Sequence, residues 1–440
     1  MSRPLRVLHV GNVANNAYLN AKFLRRAGVE ADALCDEWHM ISQPEWEDAP
    51  IDWNGGDPEA PLMERAAAAG WHRPEWVLSP SRWDPTNSHE FWLGTRLELL
   101  RDAPWLLRRY ASLRRAAPGV PLHLTDVLRA GAWLDHHERL FGKAGPLFES
   151  YDVVQAYGIH PILLLLTGQR PFVAFEHGTM RELPFKDDWY GRLLSMAYRN
   201  AGKVVITNPD VVAAAHRLGL GPDDYVFIPH PVDETKYRPG PSELGRQLEA
   251  EGWDFVAISP SRHDWAIKGS DRMLRAFAEL VLHDRPNALL MLNDWGLEVG
   301  RSRSLIAELG IERNVRWLEP LPKLRLIDAY RAADVVLDQF LIGTFGAVAP
   351  EAMACGTPVL MAFEPGLHEW CFPELPPIVD VRTPEQIYRE LRRLARDQAA
   401  RAELGAAGRD WVERHHGWQL VVDRLLAAYE EVTGYSQSRS

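Results

Sequence analysis

The feature that most constrains this 440-residue chain is a repeated alternation. Short, almost wholly apolar runs end at a glycine or polar turn, and each is followed by an amphipathic stretch. Leu5–Val10 ends at Gly11, precedes a helical pattern over 15–26 and is followed by a second run, Ala31–Cys35. The same grammar returns at 152–157, 171–175, 203–206 and 225–228. It then resumes at 254–258, 288–292, 315–318, 334–337, 358–361 and 377–381. Strands that read as continuous apolar runs suit parallel sheets covered on both faces. Strands alternating with helices in both halves predict an α/β chain with two doubly wound, Rossmann-like sheets. At this length two domains are expected. The Pro- and Gly-containing polar sequence after Pro229-His-Pro-Val-Asp233 is the predicted linker. The expected division is 1–233, 234–417 and a closing helical segment, 418–440. Ligands of such sheets bind beyond the carboxyl ends of the strands, so the site is expected in a cleft between the two domains.

Residues 36–145 break the pattern and read as an insertion on the first domain. Trp38, Trp46, Trp53, Trp71, Trp76, Trp83, Trp92, Trp105 and Trp133 crowd into it. Two roles are open for them: core of a loop-rich insert, or a stacking platform for a sugar. Arg96, Arg101, Arg108, Arg109, Arg114 and Arg115 read as a solvated face, with contact to an anionic acceptor or a lipid surface as the alternative. A formal net charge of -11 argues against nucleic-acid binding through bulk electrostatics. Cys35, Cys355 and Cys371 have neither metal nor disulfide spacing and read as buried thiols of a reducing compartment. The N-terminus lacks an apolar signal core, and no apolar run approaches the roughly 20 residues that span a bilayer. A cytoplasmic protein is the expectation.

Four stretches at strand ends carry chemistry. Gly11-Asn12-Val-Ala-Asn15-Asn16 is a ligand loop or a plain tight turn. Its glycine spacing is not the dinucleotide fingerprint. Glu176-His177-Gly178 puts a histidine at a strand end, as a structural residue or a substrate contact. Ser259–Gly269 carries Arg262 and Lys268, which are surface cations or the charge that steadies a departing diphosphate. Gly343-Thr-Phe345-Gly346-Ala347-Val348-Ala-Pro-Glu351 feeds a helix start, where unpaired N–H groups and the helix dipole favour an anion. Glu351 there can accept hydrogen bonds from ligand hydroxyls. No Asp-x-Asp pair or metal cluster is visible, so no metal is expected and the cations would carry the phosphate charge.

These motifs resemble those of the family 4 retaining glycosyltransferases of GT-B type (group 1 glycosyltransferases). The most specific match is Phe345-Gly346 through Glu351-Ala-Met-Ala-Cys-Gly-Thr-Pro-Val359, similar to the Glu-x7-Glu region of that family. Arg262 with Lys268-Gly269, Ile228–Asp233 and Ala333-Asp334 support it. The resemblance implies a hexosyltransferase-type enzyme that uses a nucleotide-sugar donor as substrate, without a cofactor. Arg262 and Lys268 would hold the diphosphate, and Glu351 the ribose. The backbone of Phe345–Val348 would hold the distal phosphate and sugar, and that of Trp317, Leu318 and Glu319 the base. Gly11, Asn12, Asn15 and Asn16 would lie on the acceptor side, and His177 near the transferred sugar. With these, His177, Arg262 and Lys268 are the expected catalytic residues. The closing helix would cross back to the first domain. One position departs: the first Glu of the motif falls on Gly343, with Asp338 or Gln339 as candidate substitutes. A GT-B epimerase or phosphorylase and a non-catalytic carbohydrate-binding protein are the competing readings.

Overall fold

The computed structural model describes residues 4–35, 39–51, 61–79, 104–115 and 119–434. The chain divides into two compact units. One comprises Met1–Glu45, Gly70–Pro229 and Val421–Ser440, the other Trp46–Ala69 and His230–Leu420. Part of the predicted insertion therefore groups with the second unit.

The first unit is built on seven parallel strands: β1 (Arg6–Val10), β2 (Glu30–Leu34), β3 (Val77–Leu78), β4 (Val153–Tyr157), β5 (Phe172–Phe175), β6 (Lys203–Ile206) and β7 (Tyr225–Phe227), in the order β3-β2-β1-β4-β5-β6-β7. The second carries β8 (Phe255–Ser259), β9 (Ala288–Asn293), β10 (Val315–Leu318), β11 (Val335–Leu337), β12 (Val359–Met361) and β13 (Val379–Asp380), in the order β10-β9-β8-β11-β12-β13. Every pairing is parallel. Strands β4, β5, β6, β8 and β9 are buried at every position, which is why they read as unbroken apolar runs. In each sheet the strand order reverses between the first and fourth strands. That reversal leaves a crevice at the carboxyl ends of β1/β4 and of β8/β11.

Helix starts follow local chemistry. The Asp188 carboxylate accepts from Gly191 N–H at 2.7 Å, and the Ser242 hydroxyl accepts from Gly245 N–H at 2.9 Å. Thr383 and Gln386 form a reciprocal capping box with Pro384 at the first helical position. Each such cap stabilises its helix by about 1 kcal/mol. One local expectation is corrected, and two local features gave no sequence signal. The segment after Asn208, whose amide donates to Thr207 Oγ1 at 3.3 Å, begins with a 3-10 turn, Pro209–Val211. The predicted linker contains a helix, Glu243–Ala250. Strand β3 had no apolar signal, because two residues are too short for a period.

Of the insertion tryptophans, Trp46 is buried, Trp76 stacks on Tyr18 at 5.2 Å, and Trp133 packs edge-on to His137 at 4.5 Å. Trp71 is half-buried and Trp105 is exposed. Trp38, Trp53, Trp83 and Trp92 lie outside the described residues, as do Arg96 and Arg101. The Arg109 guanidinium turns inward and donates to the Leu165 carbonyl, while Arg108, Arg114 and Arg115 are exposed. In the closing helix, Trp418–Thr433, the Tyr429 hydroxyl donates to Gln155 Oε1 at 2.8 Å. Cys35, Cys355 and Cys371 are buried free thiols. Among the described residues, no helix is long and apolar enough to cross a membrane.

Candidate active site

In the second unit the crevice is bounded by the loop after β8 and the loop after β11. The first loop is closed by its own backbone: Lys268 N–H donates to the Asp264 carbonyl at 2.7 Å. Gly269 adopts φ +66, which only glycine reaches without strain, and starts the helix Ser270–His283. The Lys268 ammonium donates to Gln339 Oε1 at 2.8 Å and lies 4.0 Å from Asp338 Oδ1. Asp338 in turn accepts from the Ser261 hydroxyl at 2.6 Å. Arg262 stands apart, with 47% of its side chain exposed and Asp264 at 3.5 Å. The structure therefore fixes Lys268 and leaves Arg262 open to solvent.

Both candidate substitutes for the missing glutamate are committed. Asp338 and Gln339 are buried, and Gln339 also donates to the Thr344 carbonyl. Position 343 has no room for a side chain, because a Cβ there would fall 2.6 Å from Glu364 Cβ. Phe345 is core: it stacks on His368 at 5.0 Å within an aromatic group that includes Phe363, Phe372 and Trp411. This anchor leaves Gly346, Ala347 and Val348 half-buried at the start of the helix Val348–Ala354.

Glu351 is only 6% exposed. One carboxylate oxygen pairs with the Lys323 ammonium, and the other accepts from the Tyr330 hydroxyl at 3.4 Å. Burial raises its pKa against the opposing pull of Lys323. At the end of β10, Trp317 packs against His263 at 5.0 Å and under the Arg303 guanidinium at 4.1 Å. The Leu318 carbonyl accepts from Asp294 N–H at 2.7 Å, and Glu319 is exposed. Sequence reasoning missed Ser261, His263 and Lys323. Lys323 did leave a signal: a cation at the first position of the helix Lys323–Ala332 faces the wrong end of the helix dipole.

In the first unit, Gly11 has φ +85, and a Cβ there would run into the His160 ring. Asn12 and Asn15 are fully buried and hold the loop to residues 41–43. The Asn12 amide donates to the Ser42 carbonyl at 2.5 Å and to Asn15 Oδ1 at 2.8 Å. Asn15 donates to the carbonyls of Ile41 and Gln43 at 3.1 and 2.9 Å. Asn16 is different: its amide nitrogen stands 2.8 Å from His177 Nε2. Desolvation lowers the His177 pKa to about 4, so the ring is neutral at pH 7. An Nε2 that accepts from Asn16 leaves the ring proton on Nδ1. Next to it, Glu176 is fully buried, and burial pushes its pKa up to about 7 against the pull of Arg181 and of the Met180 N–H and Asn208 side chain. Among the described residues, no group of three His, Cys, Asp or Glu side chains could hold a metal ion.

Comparison with known proteins bears on the family and the fold. The family described as "Glycosyl transferases group 1" matches residues 243–411, and "Glycosyltransferase Family 4" matches 62–236. The chain is 32% identical over 238 residues to a D-inositol 3-phosphate glycosyltransferase of Saccharomonospora viridis, covering 52% of this chain and 55% of that protein. It spans about half the length of the curated relatives it matches. Among solved structures, Anabaena HepE in complex with UDP and glucose superposes with a TM-score of 0.63 at 16% identity, covering 96% of this chain and 98% of HepE. Sucrose-phosphate synthase of Thermosynechococcus elongatus gives 0.62 at 17%, covering 98% and 100%. At such identities the likeness speaks for the fold, two parallel α/β sheets of GT-B type. With one family matching each half and this fold shared across the chain, the protein belongs to the group 1, family 4 glycosyltransferases.

Proposed function

We propose that this protein transfers a sugar, most simply a hexose, from a nucleotide-diphosphate sugar to an acceptor hydroxyl with retention at the anomeric carbon and without a metal. The observation that carries this reading is the Lys268 ammonium, held between Gln339 and Asp338 where the second sheet reverses its strand order. With Arg262 on the same loop, two cations meet a pyrophosphate where such sheets take ligands. Glu351 accepts the ribose hydroxyls, and the N–H groups of Phe345–Val348 serve the distal phosphate and sugar. The backbone of Trp317–Glu319 takes the base. The UDP and glucose bound to HepE, a protein of the same fold, support a donor of this class.

The acceptor belongs to the first unit, with Asn16 and His177 as its contacts and Gly11, Asn12 and Asn15 shaping the loop. The acceptor oxygen forms its bond to the anomeric carbon on the face from which the phosphate oxygen leaves. That phosphate oxygen takes the acceptor proton. No enzyme nucleophile is needed, and the protein contributes position and fixed charge. Incubation with UDP- and GDP-hexoses and simple sugar acceptors, with and without EDTA, tests the reading. Nucleoside diphosphate release that survives EDTA, with a product whose anomeric configuration by NMR matches the donor's, is expected. Inverted product, loss of activity in EDTA, or no release from any donor contradicts it.

A further inference from the structure

Glu351 carries a charge in an unusual setting. It is 6% exposed, and the groups that face it come from several elements. Lys323 and Tyr330 come from the helix Lys323–Ala332 and touch its two oxygens. Glu47, on the short helix Pro44–Asp48, adds a like charge, and Lys236 an opposite one. Lys236 is itself occupied: its ammonium donates to Glu47 at 2.6 Å and to Asp48 at 3.2 Å. Tyr237 and Cys355 complete the surroundings. Lys323 is thus the cation in contact with Glu351, while Lys236 is shared with two other carboxylates.

The position of Lys323 is unfavourable for its own helix. It opens the helix Lys323–Ala332, where the dipole repels a cation. Its side chain is 18% exposed, so its stem is packed as well. A lysine at that point offsets a local penalty through its ion pair with Glu351. We infer that Lys323 is a positioning residue for donor binding, supplying the counter-charge of the Glu351 carboxylate and fixing its orientation for ligand hydroxyls. This rests on the reading of Glu351 as the ribose ligand. A protonated carboxyl keeps one oxygen as a donor and loses the charge that strengthens its bonds to two neighbouring hydroxyls. Without Lys323, burial and Glu47 act on Glu351 with less opposition. The pH at which the carboxylate forms then moves up, and nucleotide affinity moves with it.

The test is calorimetric titration of UDP and of GDP into the full-length protein and its variants across pH. The wild type should bind one of them, and Lys323→Met should lose about tenfold more affinity than the wild type as pH falls from about 8.5 to about 6.5. Lys323→Arg should restore the wild-type profile. Lys323→Met/Glu351→Gln should bind weakly at every pH, with no dependence on it. Should Lys323→Met fail to fold, Lys323→Gln and the double variant, which buries no unpaired carboxylate, carry the same comparison. A Lys323→Met profile that matches the wild type overturns the inference, and leaves the ribose role of Glu351 standing if Glu351→Ala weakens binding. Nucleotide binding unaffected by Glu351→Ala overturns that role, and the inference with it. Failure of the wild type to bind either nucleotide does the same.

Discussion

The ammonium of Lys268 and the side-chain carbonyl of Gln339 meet at 2.8 Å, joining the loop after β8 to the loop after β11. The bond fixes a cation at the point where the second sheet reverses its strand order. Preorganised charge of this kind accelerates departure of a diphosphate without reorganisation. Lys268→Ala should lower turnover by about 10²–10³ at saturating donor, and Arg262→Ala by a similar factor. Steady-state rates for both variants decide the matter, and near-normal turnover in both would remove these residues from the mechanism.

The resemblance to the family implies a glutamate at position 343, and Glu364 explains why none fits. A Cβ at 343 would lie 2.6 Å from Glu364 Cβ and 3.2 Å from its backbone nitrogen. Gly343→Glu should therefore destabilise the second unit by about 1–3 kcal/mol through overpacking. Chemical denaturation of the variant measures this. Unchanged stability would mean that the loop yields easily.

Glu176 makes a pH prediction. Its carboxyl holds a proton up to about pH 7 when folded, against a reference value of 4.5. Between those values the native state binds more protons than the unfolded chain. The stabilisation is fully present below the lower value, falls as pH rises and is lost above the upper one, by about 3 kcal/mol. His9 and His177, held neutral by burial, act in the opposite sense on the acid side. The difference between wild type and Glu176→Gln isolates the term. The variant should gain relative stability as pH rises from about 4.5 to about 7. A difference that does not vary over that range contradicts the assignment.

Lys236 pairs with Glu47 and Asp48 with only 14% of its side chain exposed, and Glu47 is 2% exposed. Lys236→Met leaves buried carboxylates without their counter-charge and should cost about 3–5 kcal/mol, measured by denaturant unfolding. Lys236→Met/Glu47→Gln should recover much of that loss. If the single variant is as stable as the wild type, the ion group carries no weight in the fold.

The architecture was legible because burial on both faces writes itself as runs such as Phe255–Ser259 and Ala288–Asn293. Helix bounds were legible where caps and glycines mark them, as in Ser270–His283 after Gly269. Strand β3 and the helix Glu243–Ala250 were not, since the first is too short and the second sits in polar sequence. At the candidate site, Arg262 and Lys268 drew notice by residue type in a loop after a strand, and Glu351 by its place in the first turn of a helix. Their partners did not, because Gln339, Ser261 and Lys323 matter through contacts across 71, 77 and 28 positions of sequence. The pairing of Lys236 with Glu47 was equally hidden, since it joins residues 189 positions apart.

The central claim is that the second unit binds a nucleoside diphosphate through Lys268, Arg262 and Glu351. Calorimetric titration of UDP and GDP into the wild type, Arg262→Ala, Lys268→Ala and Glu351→Ala tests it most directly. The account predicts saturable binding of one nucleotide to the wild type, weakened by about 1–3 kcal/mol in each variant. Equal affinity in all four proteins, or no binding of either nucleotide to the wild type, would contradict it.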